Sequence, residues 1–438
     1  MAEDDRSAVM DRLASLGKRK GFIFRSSEIY GGLGSTWDYG PLGVELKRTV
    51  TTRWWDEIVR RREDVVGMDA AILMNPRVWE ASGHVGSFQD PLVECAACKR
   101  RFRQDHVEGE VCPECGGTLS EPRMFNLMFK TYIGPIEDDS AVAWLRPETA
   151  QGIFVNFRNV QEASRRKVPF GIAQIGKAFR NEITVGNFIF RSREFEQMEL
   201  EWFCRTEDSQ QWFEYWLEAR MQWYVSLGIT PERLRLRPHT EEELAHYARA
   251  CQDIEYDFPF GWSELEGIAD RGTYDLDQHM EHSGKELSYL DPHTHERFVP
   301  AVIESSGGVD RTVLTVLSDA YDEDEVEGEP RALLRFAPHM APIQAAVFPL
   351  VKRDGMPEIA RRIVEDLRAR AVAAVYDEGG SIGRRYRRMD EVGTPFCLTV
   401  DGQTVEDSTV TVRDRDTCEQ VRISIDAITA YLEERLRP

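Results

Sequence analysis

One stretch limits the possible folds more than any other. From Phe179 the chain reads Phe-Arg-Asn-Glu182, a loop from Ile183 to Ile189, then Phe190-Arg-Ser-Arg-Glu-Phe-Glu-Gln-Met-Glu-Leu-Glu-Trp-Phe203. Extended, this second stretch turns Met198, Leu200 and Trp202 to one side and Phe195, Gln197, Glu199 and Glu201 to the other. One side is core, which requires a sheet and excludes an all-helical chain. The other combines a ring with carboxylates, which suits a ligand, since a ring stacks on a base and a carboxylate holds an ammonium. A solvated antiparallel face explains the alternation almost as well. It does not explain why Arg180, Arg191 and Arg193 gather around the loop, where each could present forked donors to phosphate oxygens.

A second segment points the same way. Val299-Pro-Ala-Val-Ile-Glu-Ser-Ser-Gly-Gly-Val-Asp-Arg311 is expected to pass from an apolar strand through a small-residue turn into a helix marked by Val309, Val313, Leu317 and Ala320. Gly307 and Gly308 permit close backbone approach, and Arg311 falls in the first helical turn, where the dipole favours an anion. Alone, this reads equally as a turn with an exposed arginine. Two arginine-bearing segments beside strands favour a nucleoside triphosphate site. Neither a Gly-x-x-x-x-Gly-Lys-Ser/Thr loop nor a Gly-x-Gly-x-x-Gly fingerprint occurs, which disfavours P-loop and dinucleotide folds.

The 438 residues suffice for two or three domains. Pro338 and Pro342 bracket a short apolar stretch before a buried strand from Ala345 to Val351, so a boundary is placed near 338. Beyond it, a helix from Met356 to Ala371, strands at Ala373 to Tyr376, Pro395 to Val400 and Val410 to Arg413, and a helix from Ile425 to Leu436 describe a small α/β domain. Earlier, Leu46, Val50, Trp54, Trp55, Ile58 and Val59 recur at helical spacing after Tyr39-Gly-Pro-Leu-Gly43. That helix is either core or, given its tryptophans, a subunit interface.

Cys95-x-x-Cys98 and Cys112-x-x-Cys115, thirteen residues apart, form two knuckles suited to a closed tetrahedral zinc site. Metal-free thiols and disulfides are the other readings. A zinc ion held by four cysteines has no open position, so its role is structural. Six of the nine histidines lie between His239 and His295, including His279-x-x-His282, but without the partner spacing of a second metal site. No apolar run approaches a membrane span, and the acidic N-terminus is unlike a secretory signal, so a soluble cytoplasmic protein with no membrane partner is expected.

Together these motifs are those of a known family. Arg180-Asn-Glu182, Phe190-Arg-Ser-Arg-Glu-Phe195 and Gly308-Val-Asp-Arg311 resemble motifs 2 and 3 of class II aminoacyl-tRNA synthetases, and Gly40-Pro-Leu-Gly43 with the tryptophan helix resembles motif 1, the dimer interface. Trp37-Asp-Tyr-Gly-Pro-Leu-Gly43, Trp79-Glu-Ala-Ser-Gly-His84, Leu145-Arg-Pro-Glu-Thr-Ala-Gln-Gly-Ile-Phe154 and Gly261-Trp-Ser-Glu-Leu-Glu-Gly-Ile-Ala269 narrow this to the homodimeric type of glycyl-tRNA synthetase. The resemblance runs from about Gly21 to the C-terminus. It implies an α/β (α+β) architecture: an antiparallel-sheet catalytic domain over residues 1 to 337, with a cysteine-knuckle insertion at about 92 to 122, and a C-terminal α/β anticodon-binding domain over 338 to 438.

The resemblance also implies roles. Arg180, Asn181, Glu182, Phe190, Arg191, Ser192, Arg193, Glu194, Phe195, Glu264, Leu265, Gly308, Val309, Asp310 and Arg311 would bind ATP, with Phe195 stacked on adenine and Arg180 and Arg311 stabilising the phosphates as the catalytic pair. Arg103, Glu148, Phe195, Glu196, Gln197, Met198, Glu199, Glu304, Ser305, Ser306, Gly307 and Gly308 would surround glycine. Magnesium would be held by Glu286 or Glu304, with Glu304 preferred. The partners would be glycine, ATP, tRNA(Gly) and a second copy of the chain. The family often has Glu-Pro-Ser where this chain has Glu304-Ser-Ser306, a change that loosens the backbone but removes no charge. The alternatives are a noncatalytic relative kept for RNA binding, which would be expected to have lost motif arginines or pocket carboxylates, and a synthetase for another small amino acid.

A net charge of −21 seems to argue against an RNA partner. The acidity is local, however: residues 241 to 330 hold 24 acidic against 5 basic side chains, including the run Asp322 to Glu327, expected as a solvated loop or the edge of a connection. The last hundred residues are balanced and carry Arg384-Arg-Tyr-Arg-Arg388. A basic cluster with an aromatic inside it could bind RNA, or be a solvated face.

Overall fold

The computed structural model describes residues 3 to 437 apart from 108, 184, 185, 246 and 327. Thr184 and Val185 of the expected loop, His246, and Glu327 at the end of the acidic run therefore lie outside the described residues, as do Met1 and Ala2 at the N-terminus.

Helix α1 (Glu3–Lys20) leads into α2 (Pro41–Trp55), which ends in a single π turn over Asp56–Arg60. Proline at the first position of α2 has its φ preset and no N–H to leave unpaired. Leu46, Val50, Trp54 and Ile58 are all buried, as their spacing requires, and α2 packs on the helix that carries Arg311. Trp55 is half-buried and lies so close over Gly67 that a β-carbon there would sit 2.3 Å from its ring. Within the chain, then, both tryptophans belong to packing.

The central sheet has seven strands: β1 (Val65–Gly67), β2 (Phe170–Phe179), β3 (Glu194–Cys204), β4 (Leu234–Pro238), β5 (Ala250–Phe258), β6 (Gly261–Gly272) and β7 (Ala301–Gly308). In space they run β4-β5-β6-β7-β3-β2-β1, antiparallel except for the β1–β2 pair. Helices α3 (Ala150–Phe154), α4 (Ser209–Ser226), α5 (Tyr274–Ser283) and α6 (Val309–Ala320) cover it. On the face under α4 and α6, Met198, Leu200, Trp202, Ile254, Ile268 and Ile303 meet Trp216, Val313 and Leu317. On the other face, α3 and α5 enclose a smaller cluster with Phe170, Ile172, Phe203 and Val302.

Both faces are thus covered, and the alternating carboxylates are not solvated: Glu199 is 1% and Glu201 0% exposed. The small-residue segment also differs from expectation. Ser305 to Gly308 form no turn but continue β7, hydrogen-bonded to β3 on one side and β6 on the other. On the hidden face glycine is required at 307, because a β-carbon there would lie 3.0 Å from the Glu266 carboxylate and 3.3 Å from the Tyr224 hydroxyl.

The acidic run is likewise no loop. Tyr321–Val326 pairs with Glu329–Leu334 as a hairpin, and Asp322 and Asp324 bond Arg335 and Arg331. Beyond it, β8 (Ala345–Pro349), α7 (Met356–Ala369), β9 (Ala374–Tyr376), α8 (Ile382–Glu391), β10 (Phe396–Val400), β11 (Thr409–Asp414), β12 (Gln420–Ser424) and α9 (Ile428–Arg435) form a five-stranded sheet in the order β9-β8-β10-β11-β12. It has its own core, including Val347, Ile363, Leu367, Leu398, Val410 and Leu432. Among the described residues no helix is long and apolar enough to cross a membrane.

The tightest approach in the N-terminal part is at Gly43, where a β-carbon would lie 1.9 Å from the Phe22 carbonyl oxygen. Gly43→Ala should therefore force α2 off the Gly21–Phe22 segment and destabilise the chain by about 2 kcal/mol or more. Urea unfolding measures this; a midpoint unchanged from the wild type would disprove the contact.

Candidate active-site cleft

The sheet register assembles the site. Two rows of cross-strand neighbours run along one face: Gln174, Glu199, Ser306, Gly267 and Asp253, and beside them Ile172, Glu201, Glu304, Ala269 and Cys251. Charged groups stand at the sides, and small residues form the floor between them. Over this floor opens a cleft whose empty space, open solvent included, is about 1110 Å³.

Two charge groups line it. In the first, Glu148, Glu199 and Glu304 converge with Ser306. His84 Nε2 lies 3.2 Å from Glu148, and Gln151 donates to the same carboxylate at 3.1 Å. Burial works against ionisation of Glu148, but charge attraction and hydrogen bonding from His84, aided by Arg271 and Gln151, hold its pKa below the usual range. Glu199 accepts from the Thr149 hydroxyl, and Gln197 donates to Ser306 Oγ at 3.1 Å. Buried Arg271 grips Asp275 through two bonds of 2.7 and 2.9 Å and pairs with Glu304. With one cation among so many carboxylates, burial first and Glu304 second push Glu199 far up, and burial pushes Glu201 and Glu304 up as well.

The second group holds the arginines. Arg180 donates to the Pro147 carbonyl at 3.0 Å, with its guanidinium 5.4 Å from the Phe88 ring centre and 5.3 Å from that of Phe195. Arg311 lies 4.5 Å over the Phe190 ring and 3.0 Å from the Glu264 carboxylate, whose pKa it lowers. Phe190 is held edge-on by Phe258 and Phe260.

Of the residues expected from sequence, Glu148, Arg180, Glu182, Phe190, Arg191, Ser192, Phe195, Glu196, Gln197, Glu199, Glu264, Glu304, Ser306, Gly308, Asp310 and Arg311 line this cleft. Others stand behind it. Met198, Leu265 and Val309 are core, Ser305 bonds Glu266 on the hidden face, and Gly307 faces that side too. Asn181 donates its backbone N–H to Leu127, and Arg193 spends its guanidinium on the carbonyls of Gly34 and Glu182. Glu194 pairs with Lys177, Arg103 pairs with Asp90 and Asp105, and the Glu286 carboxylate accepts the Ser288 N–H. Asp310 is a brace as well, accepting from Tyr39 and from the Glu196 N–H.

Sequence reasoning missed His84, Thr149, Gln151, Arg271, Asp275 and, stacked on Arg271, Tyr247, and on the opposite bank His239, Cys251 and Asp253. The i,i+4 spacing of Arg271 and Asp275 and the alternation of Cys251 and Asp253 were the available signals.

In the insertion, strands Gln89–Glu94, Arg101–Arg103 and Arg123–Asn126 carry the cysteine loops. Cys95 and Cys115 sulfurs are 3.5 Å apart and those of Cys98 and Cys112 3.7 Å, with all four within 4.8 Å. Tetrahedral zinc with bonds of about 2.3 Å separates its sulfurs by about 3.8 Å, so the donor set fits that ion. The Cys98 N–H draws the Cys95 thiol down to about 6.

The basic cluster is partly consumed. Buried Arg385 donates to the Pro349 and Gly380 carbonyls, Arg388 pairs with Asp377, Arg387 pairs with Glu329, and Tyr386 packs edge-on to Phe348. Arg384 is exposed, and the side chains of Arg387 and Arg388 stay 35% and 41% open beside their partners, so the cluster keeps a basic surface while Arg385 and Tyr386 brace α8 between the hairpin and β8.

Comparison with known proteins agrees with this architecture. Residues 132–320 match the tRNA synthetase class II core domain (G, H, P, S and T), and residues 344–435 match an anticodon binding domain. The fold is that of a class II tRNA synthetase. Glycine–tRNA ligases from Caldanaerobacter subterraneus subsp. tengcongensis (55% identical, covering 98% of both chains), Thermobifida fusca (53%, covering 98% of this chain and 99% of that one) and Geobacillus thermodenitrificans (52%, covering 99% of both) are similar over essentially the whole length. The chain belongs to the glycine–tRNA ligase family.

Glu201 gives the site a testable acid–base signature. Both of its carboxyl oxygens are buried without a hydrogen-bond partner, and burial raises its pKa. A group raised in the fold favours folding while protonated and loses that contribution as pH climbs above its unfolded value of about 4.3. Glu201→Gln cannot ionise, so it should melt about 2 °C or more above the wild type at pH 8, with a smaller gap at pH 5. Calorimetry at the two pH values tests this, and a gap that does not widen with pH rules out the raised pKa of Glu201.

Proposed function

We infer that the cleft activates glycine with ATP and that the protein then transfers glycine to the 3′ end of tRNA(Gly). The observation that carries this is the convergence, over one sheet face, of two arginines from separate elements with a buried carboxylate pocket, in a chain of the glycine–tRNA ligase family. Arg180 and Arg311 are assigned the phosphates, Phe195 the adenine ring, and Glu182, Glu264 and the 190–194 loop the rest of the nucleotide. Asn181, Arg193, Leu265 and Val309 are assigned to the same half through backbone and support. Glu148, Glu199, Glu304 and Ser306 are assigned to glycine, with Met198, Ser305 and Gly307 fixing the strands that hold them.

Activation joins a glycine carboxylate oxygen to the α-phosphorus of ATP as the bond to pyrophosphate breaks, giving glycyl-adenylate. The terminal adenosine hydroxyl of the tRNA then attacks the carbonyl carbon and AMP leaves. Neither step requires a protein nucleophile; the chain contributes position and charge neutralisation. The pocket carboxylates grip the ammonium, and their bulk excludes a side chain. That matters because a pocket that merely fits one methylene more or less discriminates only about 10 to 200-fold. Glu199, whose pKa burial raises, would ionise as the ammonium arrives. Magnesium bound with the nucleotide screens the phosphate charge; Glu304 has one oxygen on Arg271 and would offer the other. The C-terminal unit, taken from residue 338, would receive the anticodon, and the working species would be a cytoplasmic homodimer.

ATP–pyrophosphate exchange tests the reading. The wild type should exchange with glycine and not with alanine or serine, whereas exchange with alanine instead would overturn the specificity and silence with all three the activity. Arg311→Ala and Glu148→Ala should each lower exchange by at least about 100-fold while melting within a few degrees of the wild type. Near-normal exchange in either variant would remove that residue from its assigned role. Glycine binding should also release protons as Glu199 ionises, which titration calorimetry in two buffers of different ionisation enthalpy detects; equal heats in both would refute it.

A further inference from the structure

The bank of the cleft opposite the pocket carboxylates carries side chains that neither reaction step uses. Strand β4 ends paired to β5 at Pro238 opposite Gln252. The ladder continues for one more bond, from the His239 N–H to the Cys251 carbonyl at 3.0 Å, which makes His239 and Cys251 direct cross-strand neighbours. Asp253 lies two residues beyond Cys251 and so on the same face. His239 Nε2 is 2.8 Å from Asp253 Oδ2, and the imidazole nitrogen, the sulfur and the carboxylate oxygen all lie within 4.8 Å of one another. All three residues line the cleft, and the His239 side chain is 21% exposed, enough for an ion to enter from solvent.

We propose that His239, Cys251 and Asp253 form a second metal site, selective for a zinc-class divalent cation, with three protein donors and a fourth coordination position open to the cleft. The donor set decides the ion. One sulfur, one imidazole nitrogen and one carboxylate oxygen suit zinc or cobalt, whereas magnesium takes oxygen donors. The geometry is near what is needed, because tetrahedral donors at 2.0 to 2.3 Å from a common centre stand about 3.3 to 3.8 Å apart. The ion would open the His239–Asp253 bond and draw the sulfur in by a rotation of side chains. Three donors and an open position are what distinguish this site from the closed four-cysteine site, and because all three residues line the cleft, an oxyanion in it could complete the shell. The histidine pair His279 and His282 is not involved: His279 is buried, with its ring nitrogen 2.8 Å from Gln151.

The test uses the full-length protein as purified. After dialysis against micromolar zinc, metal per chain is counted for the wild type, Cys251→Ser and His239→Gln. The wild type should hold one equivalent more than either variant, and all three should retain the four-cysteine metal, which serves as the folding control. Added cobalt should produce a sulfur-to-cobalt charge-transfer band in the wild type that Cys251→Ser lacks. Equal metal counts in the three proteins, or a cobalt band undiminished in Cys251→Ser, overturns the site. If Cys251→Ser fails to fold, the His239→Gln count decides alone.

Discussion

Everything in this protein depends on the register of one antiparallel sheet. Side chains along a strand alternate between faces, so a slip of β3 by one residue against its neighbours would drive Glu199 and Glu201 into the core around Trp216 and lift Met198 and Leu200 into the cleft. The hidden face carries a lock against that slip. Glu266 is fully buried, bonded to Arg220 at 2.8 and 3.1 Å and to the Tyr224 hydroxyl at 2.7 Å, with Ser305 of the neighbouring strand donating to it as well. One carboxylate thus ties α4, β6 and β7 together at a single register. Removing one partner of such a pair costs about 3 to 5 kcal/mol, far more than the pair contributes over a hydrocarbon replacement. Its role is therefore to fix alignment more than to add stability.

Much of this was legible in the sequence because alternation is a local signal. The split of residues 195 to 202 between two faces, the arginines on either side, the cysteine knuckles and the strand–helix alternation after residue 345 could all be read with a short window. What a window cannot show is what covers a sheet. The acidic face of β3 reads equally as solvated or as a pocket until α3 and α5 are seen across it. The same blindness explains Ser305 to Gly308, whose small residues signal a turn locally, whereas Gly307 serves a close approach to Glu266 and Tyr224. The cluster from Arg384 to Arg388 reads wholly as a surface because its partners, Pro349, Asp377 and Glu329, come from three other elements. His239 and Cys251 lie 12 residues apart in the chain and become neighbours only through a strand pairing that spacing rules do not capture.

The site is organised by the separation of two kinds of charge that would otherwise quench each other. Arg271 is committed to Asp275 and Glu304, and Arg311 to Glu264, so each cation is tethered on its own side of the small-residue floor. The carboxylate side carries more acid than its cations can offset. Burial holds Glu199, Glu201 and Glu304 above the usual carboxylate range, and on the proposed assignment glycine is the smallest amino acid that can deliver a compensating ammonium without also bringing a side chain into the space. Selectivity for substrate size and the acid–base state of the pocket are in this sense a single property.

The hairpin of Tyr321–Val326 and Glu329–Leu334 joins the two cores, and part of the joint is charge. Arg331 reaches Asp324 on its own hairpin and Asp390 at the end of α8, which Arg413 also grips, while Arg335 connects Asp322 and Asp324 to Asp416. Hydration of ions becomes less favourable as temperature rises, whereas the apolar contribution per unit area levels off. A joint built this way strengthens relative to the cores on either side when the protein is warmed. Heat would then loosen the interior of each half before it parts them.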